Sequence, residues 1–79
     1  MNQFVYILLC NGGTFYTGCT NNLQERINRH QNGYVESTKN KLPVKLVFHC
    51  AFIDQNKAFE FEQYLKSGSG IAFRNKRLI

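Results

Sequence analysis

The sequence predicts an α+β fold, a small antiparallel sheet flanked by helices in the order β-β-α-β-α-α. Three observations predict it. An apolar run is followed, across a glycine-rich turn, by a second β-forming stretch, which reads as a hairpin at the start of the chain. Two later stretches carry apolar residues at helical spacing behind asparagine or aspartate caps. The 79 residues are 43% hydrophobic and include seven Phe and four Tyr, enough for one core and one domain, 1–79.

Taken in order, Phe4–Cys10 is apolar and β-branched enough for a strand buried on both faces. Asn11-Gly12-Gly13 is the turn, and Thr14–Cys19 is the returning strand. A three-residue loop sets Cys10 against Thr14, Leu8 against Tyr16 and Tyr6 against Gly18, so Tyr6 and Tyr16 share a sheet face. A two-residue loop puts them on opposite faces. Asn21 or Asn22 caps a helix from Leu23 to Gln31, which Asn32-Gly33 closes. The segment Tyr34–Pro43, with Ser37, Thr38, Lys39 and Lys41, is polar and reads as a loop over the surface. Val44–Ile53 reads as a third strand with Val44, Leu46 and Phe48 on one parity and Val47 on the other. Asp54 caps a second helix running to about Lys66, stopped by Ser67-Gly68. From Ser69 a short third helix is expected to carry Arg74, Lys76 and Arg77, in a stretch with no acidic side chain after Glu62.

The composition narrows the function. The longest apolar run, Phe4 to Cys10, falls far short of the roughly 20 residues that cross a bilayer, and no basic region precedes it as in a signal peptide. A membrane or secreted protein is therefore not expected. Ten Lys and Arg against five Asp and Glu give a net charge of +5, a surface that attracts nucleic acid, acidic partners or anionic lipid. Cys10, Cys19 and Cys50 are odd in number and have no zinc-like spacing. Each lies in a strand-like stretch where a reduced thiol behaves as a small hydrophobe, which points to the reducing cytoplasm.

Certain polar groups fall where apolar ones belong. On the first helix Leu23 and Ile27 define the buried stripe, Arg26 lies on its shoulder, and His30 sits between Arg26 and Leu23. An arginine at the edge of a core either meets an anion or snorkels outward over the stripe. Arg29 points further away and reads as a surface charge. On the second helix Ala58, Phe61 and Leu65 form the stripe and Phe59 extends it, while Glu62 falls between Ala58 and Phe59. Glu60 points to solvent. A carboxylate in such a place pairs with a cation at the sheet edge or binds a metal. Gly18, opposite Tyr6, is expected to leave open space over that ring for a backbone or ligand. Taken singly, each tyrosine also reads as a core aromatic with its hydroxyl at the surface.

These residues form ordered motifs. Phe4-Val5-Tyr6-Ile7-Leu8, Thr14-Phe15-Tyr16-Thr17-Gly18 and Asn22-Leu23-Gln24-Glu25-Arg26 closely resemble the GIY-YIG nuclease domain. Ser37-Thr38-Lys39, Leu46-Val47-Phe48 and the run Phe61 to Gly68 resemble its small, free-standing bacterial branch. The likeness covers nearly the whole chain. In the first motif Phe4 stands for the glycine and Val5 for the isoleucine; in the second, Thr17 stands for the isoleucine. The resemblance implies a three-stranded antiparallel sheet flanked by helices. It also implies that Tyr6 and Tyr16 are the two motif tyrosines, Arg26 the first-helix arginine, His30 its neighbour one turn on, and Glu62 the metal-binding glutamate. The awkward positions and the resemblance thus select the same residues.

The implied activity is hydrolysis of phosphodiester bonds in nucleic acid, with DNA as the expected substrate and repair or recombination as the setting. Glu62 would hold one divalent cation, Mg²⁺ or Mn²⁺, and no small-molecule cofactor is expected. Arg26 would contact the phosphoryl oxygens. Tyr6 is favoured as the general base and Tyr16 as the group that orients the water, although the two roles can be exchanged. His30 would support the phosphate or the tyrosines. Lys39, Lys41, Lys66, Arg74, Lys76 and Arg77 would supply phosphate contacts without regard to sequence. Two other functions fit the same residues, a nucleic-acid-binding module with little turnover and a protein-interaction domain with a basic face.

Overall fold

Seven residues, Gln3–Leu9, form the first strand (β1) of the computed structural model, which describes residues 2–79. The chain turns through Asn11–Gly13, where the Cys10 amide donates to the Thr14 carbonyl at 2.8 Å, and returns as β2, Phe15–Thr20. The third strand, β3, is Lys45–Phe52, and the sheet order is β2-β1-β3, antiparallel throughout. The three-residue loop sets the expected register, with Tyr6 opposite Gly18 and Leu8 opposite Tyr16. As the middle strand, β1 is covered on both faces. Val5, Tyr6, Ile7 and Leu8 are all fully buried, and each of the three aliphatic side chains is worth about 1.5–3 kcal/mol.

Three helices cover the two faces. Helix α1, Leu23–Gln31, starts where the Asn22 side chain accepts the Glu25 amide at 3.2 Å. Helix α2, Gln55–Leu65, starts where Asp54 accepts the Asn56 and Lys57 amides. Helix α3 is Gly68–Arg77. Ser67, expected to stop the second helix, in fact starts the third: its hydroxyl accepts the Gly70 amide at 3.1 Å. Tyr6, Leu8, Cys10 and Val44 pack with Ile27 and Leu23 of α1 on one face. Val5 and Ile7 pack with Ala58, Phe61 and Leu65 of α2 and Leu78 beyond α3 on the other.

Four local expectations are corrected. Val44, Leu46 and Phe48 share a parity but not a face. A register irregularity pairs Ile7 with Phe48 but Leu8 with Leu46, so one extra residue, Val47, enters β3 there. Leu46 therefore packs on the α1 face, while Val47 and Phe48 both pack on the α2 face. Phe59 does not extend the core but is 56% exposed, because the buried arc of α2 runs through Glu62 instead. Segment 34–43 is a surface loop except at Thr38, which is fully buried. The space over the Tyr6 ring at Gly18 is not open: a Cβ built there collides with Tyr6 Cζ and Oη, so the phenol itself fills it.

Candidate active site

The register of β1 and β2 sends Tyr6 and Tyr16 to the α1 face, and helical spacing sends Arg26 and His30 toward them. The Tyr6 and Tyr16 ring centroids are 6.3 Å apart, and the His30 ring lies 5.6 Å from the first and 5.0 Å from the second. His30 is fully buried. Its Nε2 shares a hydrogen bond of 2.9 Å with Tyr6 Oη, and its Nδ1 shares one of 2.7 Å with Thr38 Oγ1. Three chain segments thus meet in one buried polar chain from the loop, through α1, to the middle strand. Thr38 does not stand out in the sequence, because a threonine within a polar loop is too common a signal, and only the folded loop brings it to His30.

Burial and neighbours set the charges. Burial first, then Tyr16 and the Glu62 charge, push the Tyr6 phenol up to about 12, against the hydrogen bond and positive charge of Arg26. Burial, then Arg26 and Arg29, push His30 below its ordinary value, so its imidazole is neutral at neutral pH and has one nitrogen free to accept. Tyr6 by itself is thus a poor base at pH 7, yet it has a hydrogen-bonded proton acceptor beside it. Arg26 is half-buried, and its Nε is out of solvent with no hydrogen-bond partner. A charged donor buried in this way is costly until an acceptor arrives, and an anion placed against it removes that cost.

Glu62 stands apart from this group. It projects from α2, on the other face of the sheet, and is 8% exposed, with Oε2 accepting from Lys66 Nζ at 3.1 Å. It borders a cavity of about 400 Å³ together with Gln3, Cys19, Gln55, Asn56 and Phe59. The fold therefore brings Tyr6, Tyr16, Arg26 and His30 together on the α1 face, while Glu62 comes from the α2 face with its charge still acting on Tyr6. Since β2 is the edge strand, whose side chains alternate between the two faces, both groups flank the same sheet edge. Among the described residues no group of three His, Cys, Asp or Glu side chains gathers to hold a metal. Mg²⁺ does not need one: it takes one or two carboxylates, keeps several waters and accepts substrate phosphate oxygens. A single buried carboxylate bordered by the amides of Gln3, Gln55 and Asn56 fits that oxygen-rich requirement, and the Lys66 ammonium is the cation now in place.

The basic residues expected to touch phosphate lie in three places. Lys66 and Arg74 line a second cavity, about 260 Å³, with Phe15, Tyr16 and Thr17, and the Arg74 guanidinium lies 4.8 Å above the Phe15 ring. Lys76 and Arg77 are exposed near the end of α3. Lys39 and Lys41 are exposed on loop 34–43, where Lys39 pairs with Glu36 at 3.0 Å. No described helix is long and apolar enough to cross a membrane, and Cys10, Cys19 and Cys50 are free thiols.

Comparison with known proteins places the chain in a family. Residues 2–75 match the GIY-YIG catalytic domain. A UPF0213 protein of Clostridium perfringens is 44% identical over 65 residues, spanning 81% of this chain and 70% of that one. The UPF0213 protein YazA of Bacillus subtilis is 35% identical over 66 residues, spanning 82% and 67%. The solution NMR structure of the UPF0213 protein BH0048 from Bacillus halodurans superposes with a TM-score of 0.63 at 32% identity, covering 99% of this chain and 87% of that one. By sequence and by fold, the chain belongs to the GIY-YIG catalytic-domain family, a family of nucleases.

Proposed function

We propose that the protein is a divalent-metal-dependent endonuclease that hydrolyses phosphodiester bonds of nucleic acid, DNA first, in repair or recombination within the cytoplasm. The observation that carries this reading is the buried, unpartnered Nε of Arg26 beside a hydrogen-bonded phenol–imidazole pair. A non-bridging phosphate oxygen would satisfy that donor, and the bond strengthens as charge builds on phosphorus. Tyr6 Oη takes a proton from the attacking water as it gives its own to His30 Nε2, which circumvents a phenol held up to about 12. Drawing Arg26 onto the phosphate uncovers the Tyr6 hydroxyl to that water, and Tyr16, half-buried beside it, orients it. Glu62 would hold the cation, with Lys66 displaced toward the nucleic-acid backbone. When bound, Mg²⁺ or Mn²⁺ supplies charge neutralisation at the phosphate and at the departing 3′ oxygen. Lys66, Arg74, Lys76, Arg77, Lys39 and Lys41 give the sequence-independent phosphate contacts.

Nicking of supercoiled plasmid in Mg²⁺ or Mn²⁺ tests this reading. Wild type is expected to nick; Glu62→Ala and Tyr6→Phe are expected to lose nicking and keep DNA binding. Equal nicking by wild type and Glu62→Ala overturns it, and loss in Tyr16→Phe with none in Tyr6→Phe exchanges the two phenols. The Lys66–Glu62 ion pair favours one other function, a binding module whose carboxylate is permanently neutralised. Salt-dependent DNA binding without nicking would establish that one.

A further inference from the structure

The buried chain does not end at His30. Nothing in the nuclease reading requires His30 Nδ1 to have a partner, yet Thr38 Oγ1 lies 2.7 Å from it, and Thr38 is the one fully buried residue of loop 34–43. The loop is built to hold it there. The Thr38 amide donates to the Val35 carbonyl at 3.1 Å, the Thr38 carbonyl accepts the Lys41 amide at 2.9 Å, and the Lys41 carbonyl accepts the Asn11 amide of the hairpin turn at 2.9 Å. Thr38 is thereby fixed to the same hairpin that carries both tyrosines.

The direction of the proton follows from the donors. The Arg26 guanidinium is positive and can only donate, so its charge on Tyr6 favours release of the phenol proton. That proton is directed to the acceptor within hydrogen-bond distance of Tyr6 Oη, His30 Nε2, which must be unprotonated to accept it. A neutral imidazole with Nε2 unprotonated carries its hydrogen on Nδ1, and that hydrogen points at Thr38 Oγ1. The charged or titratable groups facing His30 are Tyr6 from β1, Tyr16 from β2, and Arg26 and Arg29 from α1, and the loop presents only the neutral Thr38.

We propose that Thr38 is a positioning residue: by accepting Nδ1–H it holds His30 in the tautomer whose Nε2 receives the Tyr6 proton. The inference rests on the nuclease reading. In the reaction the water proton goes to Tyr6 Oη, the Tyr6 proton goes to His30 Nε2, and the resulting imidazolium keeps its Nδ1–H bond to Thr38 while hydroxide adds to phosphorus. The bond to the 3′ oxygen breaks, that oxygen takes a proton from solvent, and the imidazolium returns one, through Tyr6 Oη, to restore the starting state.

The test has two readouts on the full chain, with Thr38→Val, Thr38→Ser and wild type. The first is ¹⁵N NMR of the imidazole nitrogens near pH 7 without DNA, with the two histidine signals told apart by His49→Gln. Wild type and Thr38→Ser are expected to carry the His30 proton on Nδ1, and Thr38→Val to lose that preference. The second is plasmid nicking, expected to fall about 10- to 100-fold in Thr38→Val and to be restored by Thr38→Ser. An Nε2-protonated His30 in wild type overturns the inference, as does Thr38→Val with unchanged tautomer or unchanged nicking. If Thr38→Val does not give a folded amide spectrum, the wild-type tautomer and Thr38→Ser decide. Failure of the nuclease reading appears instead as no nicking by wild type, which the tautomer measurement does not depend on.

Discussion

Substituting Gly18 by alanine probes the packing on which the site depends. Gly18 lies opposite Tyr6, and a Cβ added there collides with Tyr6 Cζ and Oη and lies 2.9 Å from Cε1, where ordinary contact begins at 3.4 Å. The ring has no free direction to yield, because it is fully buried and its hydroxyl is tied to His30 Nε2 at 2.9 Å. Overpacking of this kind costs about 1–3 kcal/mol. Breaking the Tyr6–His30 bond leaves a buried polar atom unsatisfied, another 1–3 kcal/mol or so. The total, roughly 2–6 kcal/mol, is a large part of the stability of a domain this size. Thermal unfolding followed by circular dichroism is expected to show a midpoint lowered by roughly 10–50 °C. In a Tyr6→Phe background the hydroxyl clash and the hydrogen bond are already gone, so the same substitution is expected to cost less, by about 1–3 kcal/mol. A Gly18→Ala protein that melts within about 2 °C of wild type, or a cost that is equal in both backgrounds, would refute the packing argument.

Three other outcomes are expected. A Cβ at Gly70 meets the Tyr64 carbonyl and lies 2.8 Å from Leu65 Cα; both are backbone and cannot rotate away, so Gly70→Ala is expected to separate α3 from α2 and lower the melting midpoint by at least as much as a core overpacking of about 1–3 kcal/mol. Tyr6 ionises near 10 when unfolded and at about 12 when folded, so its contribution is fully present below pH 10 and is lost as pH rises toward 12. The loss, roughly 3 kcal/mol, is expected between pH 10 and 12 in urea unfolding of wild type and not of Tyr6→Phe, and parallel pH curves for the two proteins would contradict it. Lys66→Met removes the ammonium 3.1 Å from Glu62 Oε2. A half-exposed pair is worth about 0.2–1 kcal/mol, so Mn²⁺ binding measured by electron paramagnetic resonance is expected to tighten by up to about fivefold. Weaker binding would mean that Lys66 assists the ion rather than competing with it.

The elements were legible in the amino-acid sequence and the hairpin register was narrowed to two loop lengths, because both are local. Caps at Asn22 and Asp54, the three-residue turn, and the alternation that puts Tyr6 and Tyr16 on one face are all set by neighbours a few positions away. Helical spacing likewise made Arg26, His30 and Glu62 conspicuous as polar groups on apolar stripes. What those groups meet was settled only when the elements packed. The extra residue at Val47 switches the facing of β3 and arises from its pairing with β1, not from its own pattern. The ring that fills the space at Gly18, the carboxylate that comes from the α2 face with its charge acting on Tyr6, and the Thr38–His30–Tyr6 chain join residues from separate segments. Periodicity assigns a side chain to a face of its own element. The distance between two faces, and therefore every hydrogen bond and charge coupling across them, is set only when the elements pack.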